Sequence, residues 1–207
     1  MDGDRDPTVF VVDDDPGVLD AIQLLMRSVG LRSRTFPSAA AFLSAYDPEA
    51  PGCLVLDLRM PWMSGTELQG RLREMGARLP IIFVTAHGDI PTAVEAVKAG
   101  AVDFIQKPFS DQKLLDKVHQ ALALDARGRE ERERRERERA RLASLTPRER
   151  EVMALVVEGR HNKAIAQELG ISLRTVESHR GRVMAKMEAA SVPALVQAVM
   201  RLEAEGE

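Results

Sequence analysis

Cys53-Leu54-Val55-Leu56-Asp57-Leu58-Arg59-Met60-Pro61 begins with four apolar residues in a row, bounded by Pro51-Gly52 before and by Met60-Pro61 after. A run of that kind reads as a strand buried on both faces, the pattern of a parallel sheet covered by helices. It ends in a carboxylate. In open α/β sheets the carboxyl ends of the strands line the ligand crevice, so Asp57 falls where chemistry is usually found, although an aspartate that merely caps the next turn would have the same local sequence. Two other strand ends bear on the choice. Thr8-Val9-Phe10-Val11-Val12 runs into Asp13-Asp14-Asp15, and Ile81-Ile82-Phe83-Val84 runs into Thr85-Ala86. Further on, Val102-Asp103-Phe104-Ile105 leads to Lys107-Pro108-Phe109.

Around this strand the chain alternates between strands and helices. Residues 16–27 place Val18, Ile22, Leu25 and Met26 on one helical face, and Gly30 stops the helix. A short polar strand at 32–36 precedes a helix from Ser38, whose Ala41, Phe42 and Ala45 form the expected buried stripe. After the central strand come the loop Pro61-Trp62-Met63-Ser64-Gly65, a helix over 66–75, a fourth strand, a helix over 91–99, a fifth strand and a helix from Ser110. Five strand-helix repeats with right-handed crossovers predict a doubly wound, flavodoxin-like parallel sheet in the order 2-1-3-4-5.

Charge separates this half from the rest. The 207 residues carry a net charge of −3, but residues 1–126 hold 12 Lys and Arg against 18 Asp and Glu, and residues 127–207 hold 17 against 14. An acidic half and a basic half point to a cation for the first and a polyanion for the second. The single cysteine, Cys53, lies within an apolar strand, so no disulfide or thiolate metal cluster is expected and a reducing compartment is implied. No apolar run approaches the ~20 residues that span a bilayer, and the start lacks the basic and apolar regions of a signal peptide, so the expected location is cytoplasmic, without a membrane partner.

The helix from Ser110 turns its Leu114, Leu115, Val118, Ala121 and Leu122 to the sheet and then changes character. Residues 127–141 are almost all Arg and Glu, with Glu130/Arg134, Glu131/Arg135 and Glu133/Arg137 at the favourable i,i+4 spacing. A solvated linker helix is predicted there, with Gly128, which costs about 1 kcal/mol in a helix, as the place for a break. Unbroken, a helix over 111–143 would run about 50 Å at ~1.5 Å per residue and act as a spacer. Beyond it, Thr146-Pro147-Arg148-Glu149 is a capping box with proline at the first helical position. Residues 162–169 form a short helix closed by Gly170, Ser172 caps a third that runs to about 187, and Ser191 caps a fourth. A short helix, a tight glycine turn and a longer helix make a helix-turn-helix candidate inside a four-helix domain. The domains are therefore placed at 6–125, 126–142 and 143–207.

Asp13, Asp14 and Asp57 converge on neighbouring strand ends in this reading, and three carboxylates repel one another unless a cation intervenes. Oxygen donors with waters suit Mg²⁺. Thr85 and Lys107, aimed at the same crevice, are not needed by a metal alone. A hydroxyl and an ammonium suit a phosphoryl group bound beside it, the alternative being that Lys107 is just a counter-ion for the acids.

Val11-Val12-Asp13-Asp14-Asp15, Leu56-Asp57-Leu58-Arg59-Met60-Pro61, Val84-Thr85-Ala86 and Phe104-Ile105-Gln106-Lys107-Pro108-Phe109 resemble the receiver domain of bacterial two-component response regulators. The resemblance implies that a sensor histidine kinase phosphorylates Asp57. It also implies that Asp14, Asp57 and the backbone carbonyl of Arg59 bind Mg²⁺ directly, and Asp13 largely through water. Lys107 would pair with the acyl phosphate, Thr85 would close on it, and Phe104 would be the aromatic that follows Thr85. The stretch from His87 to Phe104 is similar to the FixJ branch, in which the face of the fourth helix and fifth strand is a dimer contact; here that face would comprise Val94, Lys98, Ala101, Val102 and Asp103. Trp62 departs from the branch, which commonly has a small polar residue there. It is either a partly buried loop anchor or a selector of kinase or phosphate lifetime.

On the third helix of the basic half, Val176, Val183 and Met187 share one face, while Arg174, Ser178, Gly181, Arg182 and Ala185 lie opposite, a pattern that suits either the major groove or plain solvent. Leu145-Thr146-Pro147-Arg148-Glu149-Arg150-Glu151-Val152, Asn162-Lys163-Ala164-Ile165-Ala166 and Ser172-Leu173-Arg174-Thr175-Val176-Glu177-Ser178-His179-Arg180 resemble the LuxR/GerE-type effector domain. That implies dimeric binding to promoter DNA, with RNA polymerase as a further partner. By position, Glu177, Ser178 and Gly181 would approach base edges, and Lys163, Arg174, Thr175, His179, Arg182 and Lys186 would hold phosphates, with packing an equal role for His179.

The function implied is phosphorylation-controlled transcription without enzymatic turnover on a separate substrate. Two alternatives stand beside it. A haloacid-dehalogenase-type phosphatase also uses a strand-end aspartate and Mg²⁺ but needs a cap insertion, whereas Pro16 and a helix follow Asp13-Asp14-Asp15 at once. A regulator that sequesters a protein would need no DNA.

Overall fold

A computed structural model describes residues 6–85 and 90–203, with side chains except at 90–93 and 203. The chain divides after Arg129 into two compact units. The first contains β1 (Thr8–Val12), α1 (Pro16–Ser28), β2 (Arg32–Phe36), α2 (Ala39–Ala45), β3 (Gly52–Asp57), α3 (Gly65–Glu74), β4 (Ile81–Thr85), α4 (Ile90–Lys98), β5 (Asp103–Gln106) and the start of α5 (Asp111–Ala143). The strands are parallel, in the order β2-β1-β3-β4-β5.

β3 lies at the centre and is buried along its whole length, which is why its sequence is a continuous apolar run instead of an alternating one. Alternate residues of the strands feed two cores. Val9, Val11, Cys53, Val55, Ile82, Val84 and Ile105 meet Leu19, Ile22 and Met26 of α1 and Leu114, Val118 and Ala121 of α5. Phe10, Val12, Leu54, Leu56 and Phe83 meet α2, α3 and α4 through Phe42, Leu68, Leu72 and Ala96. Burial, with the charge of Asp125 adding to it, pushes the Cys53 thiol up to about 12, so this residue is core and not a reactive group. The stripe expected on α2 is corrected in one position. The helix starts at Ala39 and buries Ala39 and Phe42, while Ala45, six residues on from Ala39, comes round to the exposed side.

The helix starts are capped by side chains the sequence supplies. Asp15 accepts from Gly17 N at 2.8 Å at the head of α1, and Ser64 and Glu67 form a capping box on α3. Gly65, the first residue of α3, has no room for a side chain: a Cβ there would stand 2.3 Å from the carbonyl oxygen of Asp57. The helix thus begins directly against the last residue of β3.

α5 continues through Gly128 without a break. A clasp on either side of the glycine offsets its intrinsic cost. Buried Asp125 accepts from Gly52 N and from Arg129 Nε, both at 2.9 Å, and the Arg129 guanidinium donates to the carbonyls of Glu49 and Ala50 at 2.9 and 2.6 Å.

The second unit holds the end of α5 with α6 (Pro147–Val157), α7 (Asn162–Leu169), α8 (Leu173–Lys186) and α9 (Val192–Glu203) around Val152, Val156, Ile165, Val176, Val183, Met187, Leu195 and Val199. Along α5, Glu131 pairs with Arg135 at 3.0 Å and Glu133 with Arg137 at 3.5 Å, as their i,i+4 spacing predicts, whereas Arg134 turns to Glu131 at 2.6 Å. The segment is not solvated all round: Glu138 is buried and accepts from Arg201 of α9 at 2.5 Å, and Arg141 pairs with Glu188. Both halves of the capping box on α6 form, Glu149 N donating to Thr146 Oγ1 and Thr146 N donating to a Glu149 carboxylate oxygen. Gly170 ends α7 with a left-handed φ of 64°, and α8 follows at once.

Candidate functional sites

Strand register assembles the acidic crevice. Val12 lies opposite Leu56, so Asp13 emerges beside Asp57, and Thr85 lies opposite Gln106, so Lys107 emerges one residue beyond it. Lys107 N donating to Thr85 O at 2.8 Å and Leu58 N donating to Val84 O at 3.2 Å carry the pairing past the strand ends. The result is a nearly closed pocket in which Asp13 is 3% and Asp57 7% exposed. Lys107 Nζ stands 2.6 Å from Asp13 Oδ2 and 3.0 Å from Asp57 Oδ1. The other carboxylate oxygens are held from behind, Asp13 Oδ1 by Asp15 N at 3.0 Å and Asp57 Oδ2 by Arg59 N at 2.8 Å. Thr85 is buried at the end of β4, and Phe104 is half-buried against the core that contains Phe83.

Burial raises the proton affinity of Asp57. The hydrogen bond and charge of Lys107 work the other way, Asp13 adds to the rise, and the balance is upward. For Lys107, burial alone would lower the pKa, but the hydrogen bonds to Asp13 and Asp57 outweigh it and raise it. Two carboxylates around one ammonium leave the pocket with net negative charge. Asp14, by contrast, is exposed, and among the described residues no three His, Cys, Asp or Glu side chains stand together as a ready metal cage. The balancing cation between the expected acids is therefore Lys107. The donor set still fits Mg²⁺, which binds through one or two carboxylates and keeps its waters; all donors here are oxygens, and Asp57 is held at a cost that added positive charge would relieve.

On the neighbouring face, Val94 and Lys98 are exposed and Val102 is half-buried. Lys98 pairs with Glu95 at 3.1 Å and Asp103 with Lys117 at 2.6 Å. Ala101 is a correction to the expected face: it is buried in the core, where a small side chain fits under α4. Residues 86–89 of the quoted stretch lie outside the described residues.

In the second unit α8 buries Val176 and Val183, with its C-cap Met187 buried too, and turns Arg174, Glu177, Ser178, Gly181 and Arg182 outward; Lys163 of α7 is also exposed. Thr175 is half-buried, its hydroxyl 2.8 Å from the capping Ser172 Oγ. His179 is half-buried with Nδ1 enclosed. Lys186 is held inward, at 2.7 Å from Glu149 Oε2 and 3.0 Å from the Ser144 carbonyl. Glu149 is 2% exposed, and Lys186 with the Thr146 N–H pulls its carboxyl down to about 2. Sequence reasoning missed a bond that fixes α7 against α8: Arg180 donates to Asn162 Oδ1 at 2.6 Å. The two residues are 18 apart, and no local pattern links them.

A doubly wound sheet with a buried acid-lysine pocket at its carboxyl edge, joined in one chain to a helix-turn-helix, defines a signal receiver coupled to a nucleic-acid-binding domain. Residues 9–119 match the response regulator receiver domain and residues 143–200 the bacterial regulatory proteins of the luxR family, and the chain belongs to the response regulators that combine these two domains. It is 46% identical over 200 residues to the response regulator protein TmoT of Ectopseudomonas mendocina, covering 97% of this chain and 91% of that one. It is likewise 46% identical over 189 residues to the transcriptional regulatory protein FixJ of Azorhizobium caulinodans, covering 91% and 90%. The solved structure of the response regulator StyR superposes with a TM-score of 0.88 at 48% identity, over 94% of this chain and 98% of that one. Full-length FixJ from B. japonicum gives 0.60 at 41%, over 96% and 98%. The chain is thus a transcriptional regulator of a two-component system, a class that works with a sensor kinase and DNA. Only residues 13–15 separate β1 from α1, which leaves no segment for a phosphatase cap there. No helix among the described residues is long and apolar enough to cross a membrane.

Proposed function

We propose that Asp57 accepts a phosphoryl group from a phosphohistidine of a sensor kinase and that the modified receiver promotes dimeric binding of the second unit to promoter DNA. The observation that carries this reading is the convergence of Lys107 on Asp57 and Asp13, at 3.0 and 2.6 Å, beside the buried Thr85. In the transfer, a carboxylate oxygen of Asp57 forms a bond to phosphorus as the P–N bond to the donor imidazole breaks. The imidazole nitrogen keeps the electron pair. Arg59 N, bonded to Asp57 Oδ2, orients the carboxylate.

Mg²⁺ would be held by Asp13, Asp14, Asp57 and the Arg59 carbonyl, and supplies positive charge against the phosphoryl oxygens. The phosphoryl group adds about two negative charges, and Lys107 and Thr85 are the groups that satisfy them, which favours the conformation drawing both inward. Phe104 then follows Thr85, and the face of α4 and β5, with Val94, Lys98, Val102 and Asp103, becomes the dimer contact. On DNA, Glu177, Ser178 and Gly181 face base edges and Lys163, Arg174, Thr175 and Arg182 hold phosphates. His179 is assigned chiefly to packing, and Lys186 to bracing Glu149. The regulator works in the cytoplasm, where promoter, RNA polymerase and kinase transmitter are all found.

The test is to treat the full chain and Asp57→Asn with acetyl phosphate and Mg²⁺. Mass spectrometry is expected to show one phosphoryl group on the first and none on the second, with dimer formation on sizing and tighter binding to promoter fragments following only the label. Equal labelling of both proteins refutes the assignment.

A further inference from the structure

The one tryptophan of the chain is also the most exposed large apolar residue among the described residues: Trp62 is 102% exposed, five residues after Asp57. Its surroundings are firmly built. Leu58 and Met60 are buried, Met63 packs on the core, and Gly65 N closes the base of the loop by donating to Leu58 O at 3.0 Å. At the tip, Met63 N donates to Pro61 O at 2.8 Å across Trp62, whose φ is +70°. A γ-turn with positive φ is a strained conformation for a bulky side chain, and here it leaves the indole fully exposed between a buried Met60 and a Met63 packed on the core.

We infer that Trp62 is an anchor for the protein that donates the phosphoryl group, whose surface has an apolar depression beside its phosphohistidine to take the indole. This rests on Asp57 being the phosphoacceptor. A protein donor has to bring its imidazole in line with Asp57, and the residues that follow β1 and β3 in the chain beside it, Asp14, Asp15, Arg59, Pro61 and Trp62, are all exposed. The anchor surface is therefore continuous with the transfer site. The loop backbone that presents the indole is fixed before contact and gives up little freedom on binding, and tryptophan is among the interface residues that dominate affinity. A lid over the phosphoryl group would instead need a hinge, and both flanks of this loop are tied down.

The experiment uses the full chain as wild type, Trp62→Gly, which suits a positive φ, and Trp62→Tyr, which keeps an aromatic ring. The cytoplasmic fragments of the source organism's histidine kinases are autophosphorylated with ATP, and the one that transfers fastest to wild type is retained as donor. For Trp62→Gly, kcat/KM for transfer from that fragment is expected to fall about tenfold or more, chiefly through KM, with Trp62→Tyr recovering most of it. Labelling by acetyl phosphate and the lifetime of the phosphorylated protein are expected to stay within about twofold. Equal transfer to all three proteins overturns the inference. So does a parallel change in acetyl phosphate labelling or lifetime, which would make Trp62 a shield of the phosphoryl group, and so does a changed oligomeric state, which would make it a contact between copies. If acetyl phosphate labels Asp57 but no kinase fragment does, the anchor has no partner and falls alone. If nothing labels Asp57, the reading beneath it falls as well.

Discussion

Replacing Gly65 by alanine tests how the acidic pocket is built. The added Cβ would lie 2.3 Å from the Asp57 carbonyl oxygen, 3.0 Å from Phe83 Cε1 and 3.1 Å from Leu56 Cγ, where ordinary contact begins at 3.4 Å. The closest of these is backbone at the end of a buried central strand, which cannot swing aside, so α3 and the end of β3 must part by about 1 Å. Overpacking on that scale costs about 1–3 kcal/mol. Because the displaced residue is the proposed phosphoacceptor, a shift of about 1 Å is also expected to slow labelling by acetyl phosphate, approaching a hundredfold. The control is on the same helix: Gly70 has nothing within 4 Å of a Cβ, so Gly70→Ala is expected to stabilise by about 0.5–1 kcal/mol and leave labelling alone. Urea unfolding followed by near-ultraviolet circular dichroism isolates the receiver transition, since all six phenylalanines, Tyr46 and Trp62 lie within it. If the two variants shift stability alike, or Gly65→Ala labels at the wild-type rate, the close approach of α3 to Asp57 does not govern the site.

Other outcomes follow from the charges. Asp57 has a raised pKa, so the folded state holds its proton more tightly than the unfolded one, and its contribution to stability falls as pH rises through the folded value. Asp57→Asn should therefore raise the thermal midpoint at neutral pH without Mg²⁺, and Mg²⁺ should raise the midpoint of the wild type more than that of the variant. Lys107→Met leaves Asp13 and Asp57 buried with no ammonium between them; a loss of about 3 kcal/mol is expected in denaturant titrations, partly recovered by Mg²⁺. Glu149, pulled down to about 2, contributes fully above its ordinary value of 4.5, and the contribution disappears as pH falls toward 2. Glu149→Gln should flatten that acid limb in far-ultraviolet melts of the helical half. Arg174→Ala and Arg182→Ala should each weaken DNA binding across sequences and lower the salt slope by about one unit, measured by fluorescence anisotropy.

What the sequence could and could not convey divides along the range of the interactions. The strands announced themselves because a parallel sheet needs two-sided apolar runs, and the helix starts because Asp15, Ser38, Ser64 and Thr146 satisfy backbone donors within three residues. Gly170 likewise marked a left-handed turn that few other residues tolerate. The site residues were legible by type and by their place at strand ends, but not by pairing. Nothing local says that Lys107 lies on Asp13 and Asp57 across 94 and 50 residues, or that Lys186 turns inward to Glu149 across 37. The charged helix, expected to be solvated, misled in the same way, since Glu138 finds Arg201 63 residues on, and beside the unbroken passage through Gly128 Arg129 reaches carbonyls 79 and 80 residues earlier. Trp62 stood out by its type alone, and the expectation of a partly buried anchor is corrected: the turn at φ +70° leaves its side chain fully exposed.

The lysine lying between two buried acids has a physiological corollary. It acts as a resident counter-ion, so the crevice need not fly apart electrostatically when a starving cell runs short of divalent ions. If the crevice takes up Mg²⁺ as proposed, a newly made copy can fold before the ion arrives, and scarcity of the ion would halt phosphorylation without unfolding the domain.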